Sequence, residues 1–238
     1  ISSAEALVRW VHPTRGLLPP SEFLEAAAGM GLLRRIDEII FHKICGLFAY
    51  FDSCGVVLPR IAINTSADRL SDPNFIHEIE SSGVDTTRLT IEILESVSLE
   101  KMTKSARMRL NELLEMDVAI AIDDFGTGHA SIEGLLHISP SILKIDRQFI
   151  KPIVTDQIAR RIVASMVSIG KSLGLQIVAE GVETEEHAIL AGDMGCDILQ
   201  GFYFGQPMSA ADMRSALTKT MGQFWYPKAV PGAKQRPA

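Results

Sequence analysis

What most limits the folds open to this chain is a repeated unit. A short β-branched run, apolar on both faces, meets a polar residue and then gives way to a helical stretch. Arg60-Ile61-Ala62-Ile63 runs into Asn64, and Val118-Ala119-Ile120-Ala121-Ile122 runs into Asp123. Runs without in–out alternation suit parallel strands covered by helices, not the half-wetted strands of an antiparallel sheet. The strand candidates are residues 3–10, 60–66, 88–95, 118–125, 141–146, 176–182 and 197–204. Helix signals fill the gaps. Asp72-Pro73 reads as an N-cap with proline at the first helical position, and Thr184 before Glu185 and Glu186 as another start. Over 154–173, Ile158, Ile162, Val163, Met166, Ile169 and Leu173 recur at near-helical spacing. Strand and helix alternating throughout predict an α/β fold with a parallel sheet. At 238 residues the chain matches a TIM-like (β/α) barrel, which typically needs about 250.

Composition narrows the function classes. A 47% hydrophobic content excludes disorder. A net charge of -6, from 23 Lys+Arg against 29 Asp+Glu, argues against binding a nucleic-acid polymer. No apolar run approaches the roughly 18 residues of a membrane span. Glu5 and Arg9 interrupt the early apolar stretch, which speaks against a secretory signal. Cys45, Cys54 and Cys196 are odd in number and lack metal-site spacing, which predicts a reducing, cytoplasmic setting. Residues 1–222 read as one domain and 223–238, with three prolines, as a tail. A start at Ile1 instead of Met suggests a piece of a longer protein.

The chemistry lies in where acids stand. Glu92 sits inside Leu89-Thr90-Ile91-Glu92-Ile93-Leu94; Asp123, Lys144 and Glu180 each follow an apolar run, as Asn64 does. In a parallel barrel such strand ends converge on one face, where active sites are built. Buried carboxylates need partners, and one lysine cannot neutralise four or five of them; a divalent cation can. Carboxylates with one amide oxygen are hard donors, suited to Mg²⁺ or Mn²⁺. Asp123 and Asp124 are adjacent, so on a regular strand they would face opposite ways. At a strand end before Gly126-Thr127-Gly128 both could turn towards metal, one aspartate bridging two ions. Period two also puts Glu5 and Arg9 on one face, pairing a ligand with a guanidinium able to grip phosphate. Taken singly, each residue has a plainer explanation: a structural ion pair for Glu92 or Arg9, a turn cap for Asp123-Asp124, a snorkelling Lys144. The joint placement of Glu5, Asn64, Glu92, Asp123, Lys144, Glu180 and Gln200, one per strand, argues for a site.

These residues sit in an ordered series of motifs. Glu5-Ala6-Leu7 opens it, followed by Ile63-Asn64-Thr65-Ser66 and Ile91-Glu92-Ile93-Leu94-Glu95-Ser96. Next come Ile122-Asp123-Asp124-Phe125-Gly126-Thr127-Gly128, Leu143-Lys144-Ile145-Asp146-Arg147 and Val178-Ala179-Glu180-Gly181-Val182-Glu183-Thr184, and Gln200-Gly201-Phe202-Tyr203-Phe204-Gly205 closes it. Over residues 4–208 the chain resembles the EAL-domain family of cyclic dimeric GMP (cyclic di-GMP) phosphodiesterases. The resemblance implies that Glu5, Asn64, Glu92 and Asp123 hold one metal, and that Asp123 bridges to a second on Asp124. It implies that Lys144 and Glu180 position and deprotonate the attacking water, with Gln200 in support. Arg9, Asp146 and Glu183 would contact the dinucleotide, and Glu95 would anchor loop 125–131. The implied reaction opens one phosphodiester of cyclic di-GMP to linear pGpG, with no covalent enzyme intermediate. A homodimer and upstream sensor or cyclase domains are further implications.

The chain departs from the family pattern in three places. The loop reads Gly128-His129-Ala130-Ser131 where Tyr or Phe and two small polar residues are usual. Glu92-Ile93-Leu94-Glu95 lacks the usual hydroxyl before its second acid, and the family's usual first strand is not in this sequence. The loop departure favours a second reading, a catalytically weak or silent domain acting as a cyclic di-GMP receptor. A third is an unrelated metal-assisted barrel enzyme with Lys144 as base.

Overall fold

The expected strands form where β-branched residues run together, and they pair as parallel neighbours. The computed structural model describes residues 1–95, 102–127, 134, 135 and 138–220. The chain divides into two compact units: Ile1–Ile122 with His129–Pro140, and Asp123–Gly128 with Ser141–Ala238.

In the first unit β1 (Ser3–Ala6), β4 (Arg60–Asn64), β5 (Leu89–Leu94) and the start of β6 (Ala119–Phe125) lie side by side in that order. β1 and β4 pair in parallel with Glu5 opposite Ala62, and β4 and β5 with Asn64 opposite Glu92. That register brings the polar ends of neighbouring strands level. Ile61, Ile63, Leu89, Ile91, Ile93 and Ile120 are buried, as are Phe41, Phe48 and Phe51 of the helix Leu33–Ser53. Each such side chain contributes roughly 1.5–3 kcal/mol by leaving water.

In the second unit β7 (Ile142–Ile145), β8 (Gln176–Ala179) and β9 (Ile198–Leu199) pair in parallel, with Lys144 opposite Val178. The helix Gln157–Ser172 is capped by Asp156, whose side chain accepts from the Ile158 N–H. Its glycine at 170 lies so close to β7 and β8 that a Cβ there would meet Leu143 and Ile177 side chains. Thr184 caps Glu185–Asp193 by accepting from the His187 N–H, as its position before two glutamates predicts.

Four local expectations need correction. The first strand stops at Ala6 instead of reaching residue 10; the chain then forms an antiparallel hairpin of β2 (Trp10–His12) and β3 (Gly16–Leu18). Gly16 sits at φ +77°, a conformation open to glycine that turns the hairpin. The candidate at 197–204 keeps only Ile198–Leu199, because Gly201 is pressed against the Val182 backbone and its neighbours turn. Asp72 does not cap a helix starting at Pro73. It accepts from the Asn74 N–H at 3.0 Å, and the helix begins at Phe75. The buried face of Gln157–Ser172 is Ala159, Val163, Val167 and Gly170, whereas Ile158 is 67% exposed. Small residues allow closer packing on β7 and β8 than the isoleucine row would. The tail at 223–238, like His129, Ala130 and Ser131 of the loop, lies outside the described residues.

Candidate functional site

Each unit presents part of the expected constellation at its strand ends. In the first, Asn64 closes β4 and its Nδ2 donates to Glu5 Oε1 at 2.8 Å. This directs the amide oxygen Oδ1 away from Glu5. Glu92, level with Asn64 across the β4–β5 pair, is only 2% exposed. Two carboxylates and an amide oxygen at adjacent strand ends are hard donors. The turn after Asn64 is held on both sides. The Thr65 N–H donates to the Glu92 carbonyl at 2.9 Å, and the Ser66 N–H to Asp37 Oδ2 at 2.9 Å.

In the second unit, carboxylate oxygens of Asp123, Asp124 and Glu180 lie within 4.8 Å of one another. Lys144, 2% exposed, reaches Asp123 Oδ1 at 3.0 Å and Glu180 Oε1 at 2.7 Å. The sheet explains the convergence: Lys144 lies one residue before the end of β7, and the Glu180 N–H donates to the Ile145 carbonyl at 3.1 Å. The problem of adjacent aspartates is solved by the backbone. Asp124 sits at φ +56°, which breaks strand alternation and turns its side chain to the same side as Asp123. Asp146 shares a hydrogen bond with Asp124 and accepts from the Gln148 N–H at 2.9 Å, capping the helix that follows β7.

The charge balance of this cluster is unfavourable. Burial, the negative charges of Asp123 and Asp146, and the hydrogen bond to Asp146 push the Asp124 carboxyl up to about 6 from 3.8; Lys144 opposes this. One ammonium among four such carboxyls leaves excess negative charge, which a divalent cation offsets. Donor types and crowding therefore both fit a hard divalent cation.

Gln200 is half-buried and is fixed by its backbone: its N–H donates to Ala179 and its carbonyl accepts from Val182. That seats it beside the Glu180–Gly181 turn. With β1 ending at Ala6, period two no longer links Arg9 to Glu5, and the Arg9 guanidinium donates to the Val8 carbonyl at 2.8 Å. Glu183 forms an exposed ion pair with Lys151 at 2.9 Å, which holds its carboxyl below the ordinary range. Glu95 is buried, while 128–131 of the loop it was expected to anchor lies outside the described residues.

Sequence reasoning missed the polar network that follows Asn64. Arg69, 1% exposed, pairs with Asp72 at 3.2 Å and Glu78 at 2.5 Å, and its guanidinium stacks 4.6 Å from the Phe75 ring centroid. A buried arginine is costly without such partners. The available signal was Ser66 preceding Ala67-Asp68-Arg69-Leu70, a cap followed by a helical turn whose cation faces inward. All three cysteines are free thiols, and among the described residues no helix is long and apolar enough to cross a membrane.

Comparison with known proteins supports one family. The sequence pattern described as EAL domain matches residues 1–207. The bifunctional diguanylate cyclase/cyclic di-GMP phosphodiesterase MucR of Pseudomonas aeruginosa is 36% identical over 217 residues, 90% of this chain and 32% of MucR. The cyclic di-GMP phosphodiesterase NbdA of the same species is 31% identical over 221 residues, 91% of this chain and 28% of NbdA. This chain thus spans about a third of the length of these relatives. Among solved structures, the MucR phosphodiesterase in complex with cyclic di-GMP aligns with a TM-score of 0.82 and 35% identity, covering 90% of this chain and 87% of that one. The TIM-like α/β fold expected from the sequence therefore holds, and the chain belongs to the EAL domain family.

Proposed function

We propose that this chain hydrolyses one phosphodiester bond of cyclic di-GMP to linear pGpG and needs divalent cations to do so. The observation that carries the reading is the cluster at Lys144, where three carboxylates meet beside one ammonium and crowding pushes the Asp124 carboxyl up to about 6. Such a group has too much negative charge for a resting structural site and the donor chemistry of a Mg²⁺ or Mn²⁺ centre.

Glu5, Asn64 and Glu92 would supply cation donors in the first unit, and Asp123 with Asp124 in the second. When bound, such cations supply positive charge to the phosphate oxygens and acidify water. The protein's own groups do the rest. Lys144 keeps the Asp123 and Glu180 side chains oriented, and its ammonium orients a water between them. Glu180 accepts that water's proton, a task for a carboxylate already held by one charged hydrogen bond. Gln200 holds the Glu180 turn through its backbone. Arg9, Asp146 and Glu183 are proposed dinucleotide contacts, Arg9 and Glu183 after release from their present partners.

The test uses the purified chain with Mn²⁺ or Mg²⁺. It should convert cyclic di-GMP to pGpG, and Glu5→Ala should abolish conversion. Wild-type protein that binds the dinucleotide but never cleaves it with either cation would favour a receptor role instead.

A further inference from the structure

We infer that Asp37 is a positioning residue for the cation donor Asn64, acting through the backbone of Ser66. This rests on the reading that Asn64 is such a donor. Asp37 lies on the helix Leu33–Ser53, 27 residues before Asn64 in sequence, yet its carboxylate closes the turn that ends β4. Oδ2 accepts the Ser66 N–H at 2.9 Å, and the Ser66 hydroxyl also bonds to this carboxylate. The same hydroxyl oxygen accepts the Arg69 N–H at 3.2 Å, so one side chain caps the next helical turn while its proton points to Asp37. Together with the Thr65 N–H on the Glu92 carbonyl, both amides following Asn64 are tied down. The direction in which Asn64 leaves the strand is therefore set by the Glu92 main-chain carbonyl and the Asp37 carboxylate.

The charges around Asp37 fit this role better than a stabilising one. Burial pushes its carboxyl up, the Ser66 hydrogen bonds and Arg69 pull it down, and Asp68 adds repulsion. A carboxylate chosen for stability alone would sit in the open or pair directly with Arg69. This one spends its oxygens on a backbone N–H and a hydroxyl. Groups that orient a metal ligand without touching the metal typically change affinity by about 10–100-fold when removed.

The test is Mn²⁺ binding by titration calorimetry on the whole chain, with a double-mutant cycle. Asp37→Ala should weaken Mn²⁺ binding about tenfold. Asp37→Asn keeps an oxygen that accepts the Ser66 N–H and should stay within about threefold of wild type. In an Asn64→Ala background, Asp37→Ala should cost nothing more. Should Asp37→Ala not fold, Ser66→Pro against Ser66→Ala asks the same question. Ser66 sits at φ -75°, which proline accepts, so Ser66→Pro removes the N–H and Ser66→Ala only the hydroxyl. The inference expects the proline variant to bind Mn²⁺ about tenfold more weakly than the alanine variant. Equal losses with and without Asn64, or Asp37→Ala binding like wild type, would overturn the inference alone. Wild-type protein that takes up no Mn²⁺ would overturn the cation reading and this inference with it.

Discussion

The two compact units handle buried acid in different ways. In the first, Glu5 is met by the neutral amide of Asn64, and Glu92 lies buried and level with Asn64 across the β4–β5 pair. In the second, Asp123 and Glu180 share the ammonium of Lys144, and Asp124 carries a carboxyl pushed up to about 6. A neutral amide adds an oxygen donor without competing for charge, which suits holding a cation. An ammonium between two carboxylates competes with a cation but holds a base in a fixed direction, which suits moving a proton. The same residue type, a carboxylate at a parallel strand end, thus serves two tasks according to its partner.

If that contrast is right, matched substitutions should fail differently. Glu92→Gln should weaken cation binding by more than the roughly 10–100-fold seen for groups that merely orient ligands. Its activity should partly return at high Mn²⁺. Glu180→Gln removes the proposed base and should cut turnover by about 10²–10⁴, with no recovery at any Mn²⁺ concentration. Rates of pGpG formation across a Mn²⁺ titration read both effects, and variants that titrate alike would erase the distinction. A smaller effect should follow from Lys144→Met. Without cations it leaves buried Asp123 and half-buried Glu180 without their shared ammonium and should lower unfolding free energy by about 3 kcal/mol. Saturating Mn²⁺ should return most of that loss. An equal loss with and without Mn²⁺ would mean that Lys144 is a structural residue of the second unit and not part of a charge-balanced site.

Much of this was legible from residues alone, for a physical reason. An acid after a both-faces-apolar run is expensive unless it has a task, so Glu92, Asp123 and Glu180 stood out. Parallel pairing then placed them at the same end of their strands. What stayed hidden depended on backbone geometry or on distant sequence. The end of β1 at Ala6 hung on the hairpin that Gly16 permits, and with it fell the face shared by Glu5 and Arg9. The helix Gln157–Ser172 buried the face with Ala159 and Gly170 instead of its isoleucine row, because close approach to β7 and β8 outweighed side-chain size. Asp37 carried no local sign at all. Nothing in Leu33-Arg34-Arg35-Ile36-Asp37 distinguishes an inward carboxylate from an ordinary helix-surface acid; only the Ser66 amide does. The adjacent pair Asp123-Asp124 lay between these cases. The sequence posed the question of how both could face one way, and a single left-handed residue answered it.

The finest test of the contrast is the stability cost of Asp124 itself. Its carboxyl is raised from 3.8 to about 6 in the folded chain. Between those values the folded state holds a proton that the unfolded state has released. Native stability must therefore fall as pH rises from about 4 to about 6, and the penalty is complete above that. Taken in full, that rise would correspond to nearly 3 kcal/mol, but Asp124 is only half-buried and solvent screens it, so about 1 kcal/mol is expected. Asp124→Asn cannot titrate. In cation-free buffer it should melt with the wild type at pH 4 and be about 1 kcal/mol more stable at pH 7. Added Mn²⁺ should reverse the order, because the wild type gains a ligand charge that asparagine lacks. A variant less stable than wild type at pH 7 without cations would show that the second unit's acids are balanced already, and the difference between the two units would disappear.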